Sequence, residues 1–247
     1  LQIINNYFFS ETTYLKIPKD SEYYLEAQIN IAYNYSKENE FYDVENKIIS
    51  IVNNNNENYE LKKILADYYR VKKKYDIAIV MYSDLLQKNR EDVWYIYYLR
   101  GICNERSGNW AGAELDFLQS LKIKTDSPNV LNYLAYGWIE RNVNIEQSFD
   151  MLTEAYNANP DSHYILDSLA WAYFKKKEYN KAAELMEKVI DMVPGEAISL
   201  DHLGDIYFAM KRRREAVYFW NQAKDLAEPE DEISDKIEEK IRDYNAS

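Results

Sequence analysis

Glycine and proline are scarce in this chain, at 6 and 5 of 247 residues. A β-rich or α/β chain of that length needs more turn-forming residues, so the scarcity points to an all-α protein. Cysteine is nearly absent: Cys103 stands alone. An internal disulfide is thereby excluded, and a reducing compartment fits. Histidine is limited to His163 and His202, whereas a zinc site draws on several His or Cys ligands. No G-x-S-x-G, H-E-x-x-H, Walker A or C-x-x-C motif is present, so neither a catalytic centre nor a cofactor is expected. No apolar run approaches the roughly 18 residues that span a bilayer. Positive charge is in deficit, with 30 Lys and Arg against 42 Asp and Glu and a formal charge of −12. Such a chain repels polyanions, and a nucleic-acid partner is not expected.

What remains is a folding composition, 47% hydrophobic and 29% charged, rich in residues that favour helix. Asn, Lys, Ile and Tyr are abundant, as in Asn53–Asn56, which points to an AT-rich genome. The chain opens on Leu1 rather than Met. A fragment or processed form is therefore expected, and a missing start could carry a targeting signal. The compartment stays open between a bacterial cytoplasm and, if such a segment precedes Leu1, the periplasm or cell envelope.

An internal period organises the rest. Leu169, Ala170 and Tyr173 share one helical face, and Ala182, Met186 and Val189 follow after a turn at Lys175–Glu178. A step of 34 residues lands on Leu203, Gly204 and Tyr207, then on Ala216, Trp220 and Ala223. Backward steps find Leu134, Ala135 and Trp138; then Gly101, Trp110, Ala113 and Phe117; then Leu65, Ala66, Tyr69 and Ala78; then Ile31, Ala32, Tyr35 and Phe41. Six repeats are expected over residues 25–228, starting near 25, 59, 94, 129, 163 and 197. Residues 1–24 would hold the second helix of a truncated earlier repeat. Residues 229–247 would form a polar capping helix with Ile233, Ile237 and Ile241 on one edge.

Small residues at Ala32, Ala66, Gly101, Ala135, Ala170 and Gly204 let the two helices of a repeat approach closely. A large apolar residue precedes each, except that Arg100 takes this slot in the third repeat and weaker packing is expected there. One repeat cannot bury its apolar face, so repeats must stack.

These residues resemble the tetratricopeptide repeat, with its spaced Leu-Gly, Tyr, Gly-x-Tyr, Ala, Phe, Ala and Pro. The resemblance is clearest at Asp167-Ser168-Leu169-Ala170-Trp171 and Asp201-His202-Leu203-Gly204-Asp205-Ile206-Tyr207. With Leu131–Tyr136, these runs are similar to multi-repeat members from proteobacteria. Val44, where Ala is usual, makes the first repeat depart from the pattern. The resemblance implies an all-α, right-handed superhelical solenoid of antiparallel helix pairs, with first helices lining a concave face at repeat positions 2, 5, 9, 12 and 13. In this sequence those positions hold Tyr33 and Lys37, then Lys63, Asp67 and Arg70, then Tyr95, Tyr98, Glu105 and Arg106. They continue with Asn132, Tyr136 and Glu140, then Tyr164, Asp167, Trp171 and Phe174, then Asp201, Asp205 and Phe208. A chaperone-tail clamp of Lys, Asn, Asn, Lys and Arg is not matched. Its slots hold Ile29 and Tyr33, Lys63 and Asp67, Tyr98 and Ile102.

Several of these residues carry two readings. Trp171 and Phe174 either face a partner or pack on the neighbouring repeat, whereas Tyr98 and Tyr136 are expected to be partly exposed. His202 between Asp201 and Asp205 could hold a metal, but a polar helix face accounts for it more simply. Cys103 reads as a small buried side chain rather than a nucleophile. The basic turns Lys72–Lys74, Lys175–Lys177 and Lys211–Arg214 either meet an anionic partner or cap first helices.

The expected function is a non-catalytic scaffold that binds a protein or peptide segment, basic or amphipathic, in an aromatic and acidic groove. The alternative is a self-assembling or envelope component that docks through Tyr7, Phe8 and Phe9. A more remote one is an enzyme on the same scaffold.

Overall fold

The computed structural model describes residues 13–37, 44–55, 57–88, 91–227 and 233–246. The expected helix of a truncated first repeat falls largely outside the described residues, and Tyr7, Phe8, Phe9 and Phe41 fall wholly outside them. Among the described residues every regular element is a helix. The chain divides into two compact units, Leu1–Ile123 and Lys124–Ser247.

The first unit holds α1 (Tyr24–Lys37), α2 (Val44–Asn54), α3 (Tyr59–Val71), α4 (Tyr75–Leu85), α5 (Val93–Arg106) and α6 (Trp110–Ile123). The second holds α7 (Pro128–Glu140), α8 (Ile145–Ala158), α9 (His163–Lys175), α10 (Tyr179–Met192), α11 (Ala197–Ala209), α12 (Arg213–Leu226) and α13 (Ser234–Ala246). Within each unit consecutive helices pair antiparallel, and a first helix starts again after 34 or 35 residues.

The helix ends follow from local chemistry. The Asn58 side chain accepts the Leu61 amide at 3.0 Å, capping α3, and Pro128 opens α7, where its missing N–H costs nothing. First helices end in a left-handed residue: Lys73, Gly108, Lys177 and Lys211 have φ of 58°, 82°, 63° and 64°. The next amide then reaches back five residues, as Glu178 N–H does to the Tyr173 carbonyl at 2.9 Å. The turn after α7 carries one residue more, with both Asn142 and Asn144 left-handed.

The pairs close on their small residues. Ala32, Ala66, Ala135 and Ala170 are fully buried. At Gly101 and Gly204 the opposing side chains are the Phe117 and Trp220 rings, and an added Cβ would collide with them. Opposite helices present Ile48, Tyr82, Phe117, Leu152, Met186 and Trp220, all essentially inaccessible. In the second unit one core runs through Leu166, Met186, Leu203 and Trp220 to Ile237 of α13.

Arg100 departs from expectation. In place of weak packing it makes a two-pronged ion pair with Asp116 at 2.6 and 2.9 Å and donates to Ser83 Oγ at 2.9 Å. Asn104 donates to the same buried carboxylate at 3.0 Å. A planar guanidinium matched to a carboxylate fills the slot while leaving no charge unanswered.

Two stability predictions follow from this packing. Gly204→Leu should lower unfolding free energy by about 1–3 kcal/mol or more through overpacking, read by chemical denaturation; an unchanged midpoint would disprove the register. Asp116→Ala should cost about 3–5 kcal/mol because it strands Arg100. The double variant Arg100→Leu/Asp116→Leu should lose less than Asp116→Ala alone, and a larger loss would contradict the ion-pair account.

Candidate recognition surface

In the second unit, the first helices α7, α9 and α11 repeat the same face at steps of 34 or 35 residues. By that register Asn129, Tyr164 and Ile198 form one column, and Asn132, Asp167 and Asp201 a second. Tyr136, Trp171 and Asp205 form a third, and Ile139, Phe174 and Phe208 a fourth. The columns lie three, then four, then three residues apart, so they line one helical stripe.

Polar links tie neighbouring helices across this stripe. Tyr164 OH donates to Asn129 Oδ1 at 3.0 Å, and Trp171 Nε1 donates to Glu140 Oε1 at 2.5 Å. Asp167 is buried on α9 and meets α11 twice: His202 Nδ1 lies 2.9 Å from Oδ1, and Ser199 Oγ lies 2.7 Å from Oδ2. Ser199 Oγ is also 2.7 Å from Glu196 Oε2, so one hydroxyl proton is shared between two carboxylates. Asp201 and Asp205 both contact Lys240 Nζ of α13 at 2.8 Å, and Trp220 Nε1 donates to Asp205 at 3.0 Å.

Trp171 therefore packs between repeats and is 6% exposed. Its ring stacks on Phe174 at 4.5 Å and on His202 at 4.2 Å, both nearly parallel. Phe174 is half-buried, Tyr136 is half-buried, and Phe208 is 43% exposed. Asn132 is buried, with Oδ1 unpaired.

In the first unit, Asp67 is half-buried, accepts the Tyr82 hydroxyl at 2.6 Å and lies 3.7 Å from Arg70. Tyr98 is buried, not partly exposed as the sequence led us to expect, because its ring packs against Tyr95 and against Phe117 of the paired helix. Tyr33 belongs to α1, but its side chain lies outside the described residues. Cys103 is fully buried, and burial pushes its thiol up to about 12, so no thiolate forms near neutral pH. Among the described residues no group of three or more His, Cys, Asp and Glu is arranged to hold a metal. Several turn cations meet neighbouring carboxylates: Lys74 with Glu45, Lys175 with Glu140, and Lys176 with Glu146.

The sequence flagged Asp167, Asp201 and Asp205 but missed what answers them. His202 and Ser199 follow Asp167 by 35 and 32 residues, and Lys240 follows Asp201 by 39. A separation close to one repeat length was the available signal for the first two.

Burial alone would depress the His202 pKa. Attraction from Asp167, then Asp201 and Asp205, outweighs it and raises the pKa above 6.5. Burial likewise raises Asp205 above 3.8, with Lys240 opposing and Asp201 adding. A group whose folded pKa is raised stabilises fully below its unfolded pKa and loses that contribution as pH rises through its folded pKa. The His202 contribution is therefore complete below 6.5 and declines above it. Wild type should lose more melting temperature than His202→Gln as pH rises from 6 into the alkaline range. Parallel profiles for the two proteins would contradict the buried ion pair.

Comparison with known proteins fits this geometry. Family models described as tetratricopeptide repeat match residues 65–128 and 164–193. A TPR repeat-containing protein of Pseudomonas aeruginosa is 24% identical over 110 residues, 44% of this chain and 18% of that protein. The chain thus spans under a fifth of that relative's length. The Cut9–Hcn1 hetero-tetramer of the APC/C contains a chain that superposes with a TM-score of 0.79 at 13% identity, over 94% of this chain and 45% of that one. YrrB, described as a TPR protein with an unusual peptide-binding site, superposes with a TM-score of 0.54 at 15% identity, over 78% of this chain and 97% of its own. At such identities the likeness concerns the fold. Helix pairs that recur every 34 or 35 residues and close on Ala or Gly thus carry, over residues 65–128 and 164–193, the match to the tetratricopeptide repeat.

Proposed function

We propose that the chain is a non-catalytic protein-interaction scaffold, and that the first-helix face of its second unit receives a protein or peptide segment. The observation that carries this reading is the set of apolar side chains left open on that face. Tyr164, Ile198 and Phe208 are 40%, 39% and 43% exposed, beside half-buried Tyr136 and Phe174. Rigid aromatic side chains give contact area at little entropic cost, which is why they concentrate at binding surfaces.

The carboxylates on the same face contribute less than their sequence positions imply. Asp167 is engaged by His202 and Ser199, and Asp201 and Asp205 by Lys240. The segment that fits best is accordingly amphipathic, with apolar side chains seated against Tyr136, Phe174 and Phe208. The peptide-binding description of YrrB and the partnered state of Cut9 in its hetero-tetramer are consistent with a binding role for this fold. Among the described residues no helix is long and apolar enough to cross a membrane.

The test compares capture of proteins from cells by wild type, by Tyr136→Ala/Phe208→Ala and by Tyr218→Ala. Tyr218 is 58% exposed on the second helix α12 and serves as the control. With helicity verified, the double variant should lose the captured proteins, each truncation weakening binding by about 1–2 kcal/mol or more. Equal capture by all three proteins would remove the first-helix face as the working surface.

A further inference from the structure

The second unit ends in α13, a helix held differently from the rest. Helix α11 buries nine of its thirteen residues, and α12 buries Ala216, Trp220 and Ala223. Of the described α13 side chains, Ile237 is the one that is buried; Ile233 and Ile241 pack half-buried beside it. The other attachment is electrostatic. Lys240 Nζ reaches Asp201 Oδ1 and Oδ2 at 2.8 and 2.9 Å and Asp205 Oδ2 at 2.8 Å, with the Trp220 ring 5.8 Å away. A second ion pair, Lys224 with Glu238, lies on the exposed side at 2.7 Å.

Asp201 and Asp205 stand one helical turn apart on the α11 face, so their carboxylates are neighbours of like charge. Asp201 is buried, and Asp205 is half-buried. Removing their cation would leave two neighbouring carboxylates with the Trp220 Nε1 hydrogen bond to Asp205 but no ammonium between them, which is unfavourable. The seat can therefore change occupant only if the newcomer brings its own cation. The apolar part of the seat is equally specific, since Ile233, Ile237 and Ile241 recur every four residues, with Lys240 beside the last.

We propose that α13 is an intramolecular ligand, and that its seat on α11 and α12 binds a partner's amphipathic helix bearing three aliphatic residues at spacing four and a Lys or Arg next to the third. This rests on the reading of the first-helix face as a recognition surface, and it names a second seat at the C-terminal end of that face. With one fully buried side chain, two half-buried isoleucines and the ion pairs of Lys240 and Lys224, α13 is held by fewer buried groups than α11 or α12, and this sets the order of opening: α13 leaves while α11 and α12 stay folded. A neutral or acidic helix is rejected because it leaves Asp201 and Asp205 unanswered.

The experiment uses the full chain. Hydrogen exchange should show α13 amides at least about tenfold less protected than those of α11 and α12. A fluorescent peptide with the sequence from Ile233 to Ala246 serves as the probe. It should bind a Lys240→Glu chain, whose own helix is repelled from the seat, at least about tenfold more tightly than wild type. The same probe carrying Glu at the position of Lys240 should bind neither chain. If Lys240→Glu loses helicity, Lys240→Met, which removes the charge and keeps the stem, takes its place. Protection of α13 equal to that of α12, or no gain in probe affinity, overturns the proposal. Such a failure leaves the aromatic face untouched, because capture by Phe208 variants reads that face with α13 in position.

Discussion

Everything in this chain depends on how closely the two helices of a pair approach. Ala32, Ala66, Ala135 and Ala170 are fully buried at the crossing, and Gly101 and Gly204 stand where even a methyl group would strike Phe117 or Trp220. Because the backbones come so close, the large side chains of each second helix have one place to go, which is across the pair. That placement turns a 34- or 35-residue repeat into a three-dimensional one. It also commits first helices to lie side by side within a unit, since the remaining apolar surface can be covered only by the next pair.

Once first helices are neighbours, their polar side chains meet, and this decides which of them are free for a partner. Tyr59 reaches Asp92, Trp171 reaches Glu140, Asp167 is answered by His202 and Ser199, and Asp201 by Lys240. Buried polar groups that find partners hold register, whereas the same groups left alone would be costly. The acidic residues of the face thus act chiefly as couplings between repeats, and under the proposed scaffold role the aromatic residues left partly open are what a ligand would touch.

The architecture was legible in the sequence because it rests on short-range rules. The spacing of Leu203, Gly204 and Tyr207 after Leu169, Ala170 and Tyr173 reports helix pairing directly, and the observed helices follow it. Side-chain pairing was less legible. Nothing near Arg100 in the sequence announces Asp116 as its bidentate partner, and the reach of Lys240 to Asp201 spans a connection whose geometry no local rule fixes. Exposure was harder still. Tyr98 and Phe208 were both expected on the partner-facing surface, yet one is buried against Phe117 and the other open, because exposure depends on what the neighbouring helix supplies. The stack of Trp171 between Phe174 and His202 follows the same logic, for it needs the ring of the next repeat to complete it.

The central claim is that a partner meets first helices rather than second ones. Site-specific photo-crosslinking measures this directly, with a photoreactive phenylalanine analogue placed at position 208 on α11 or at position 218 on α12, both exposed in the folded chain. The account predicts partner cross-links from position 208 and none from position 218. Cross-links from position 218 alone would contradict it and move the working surface to the second helices.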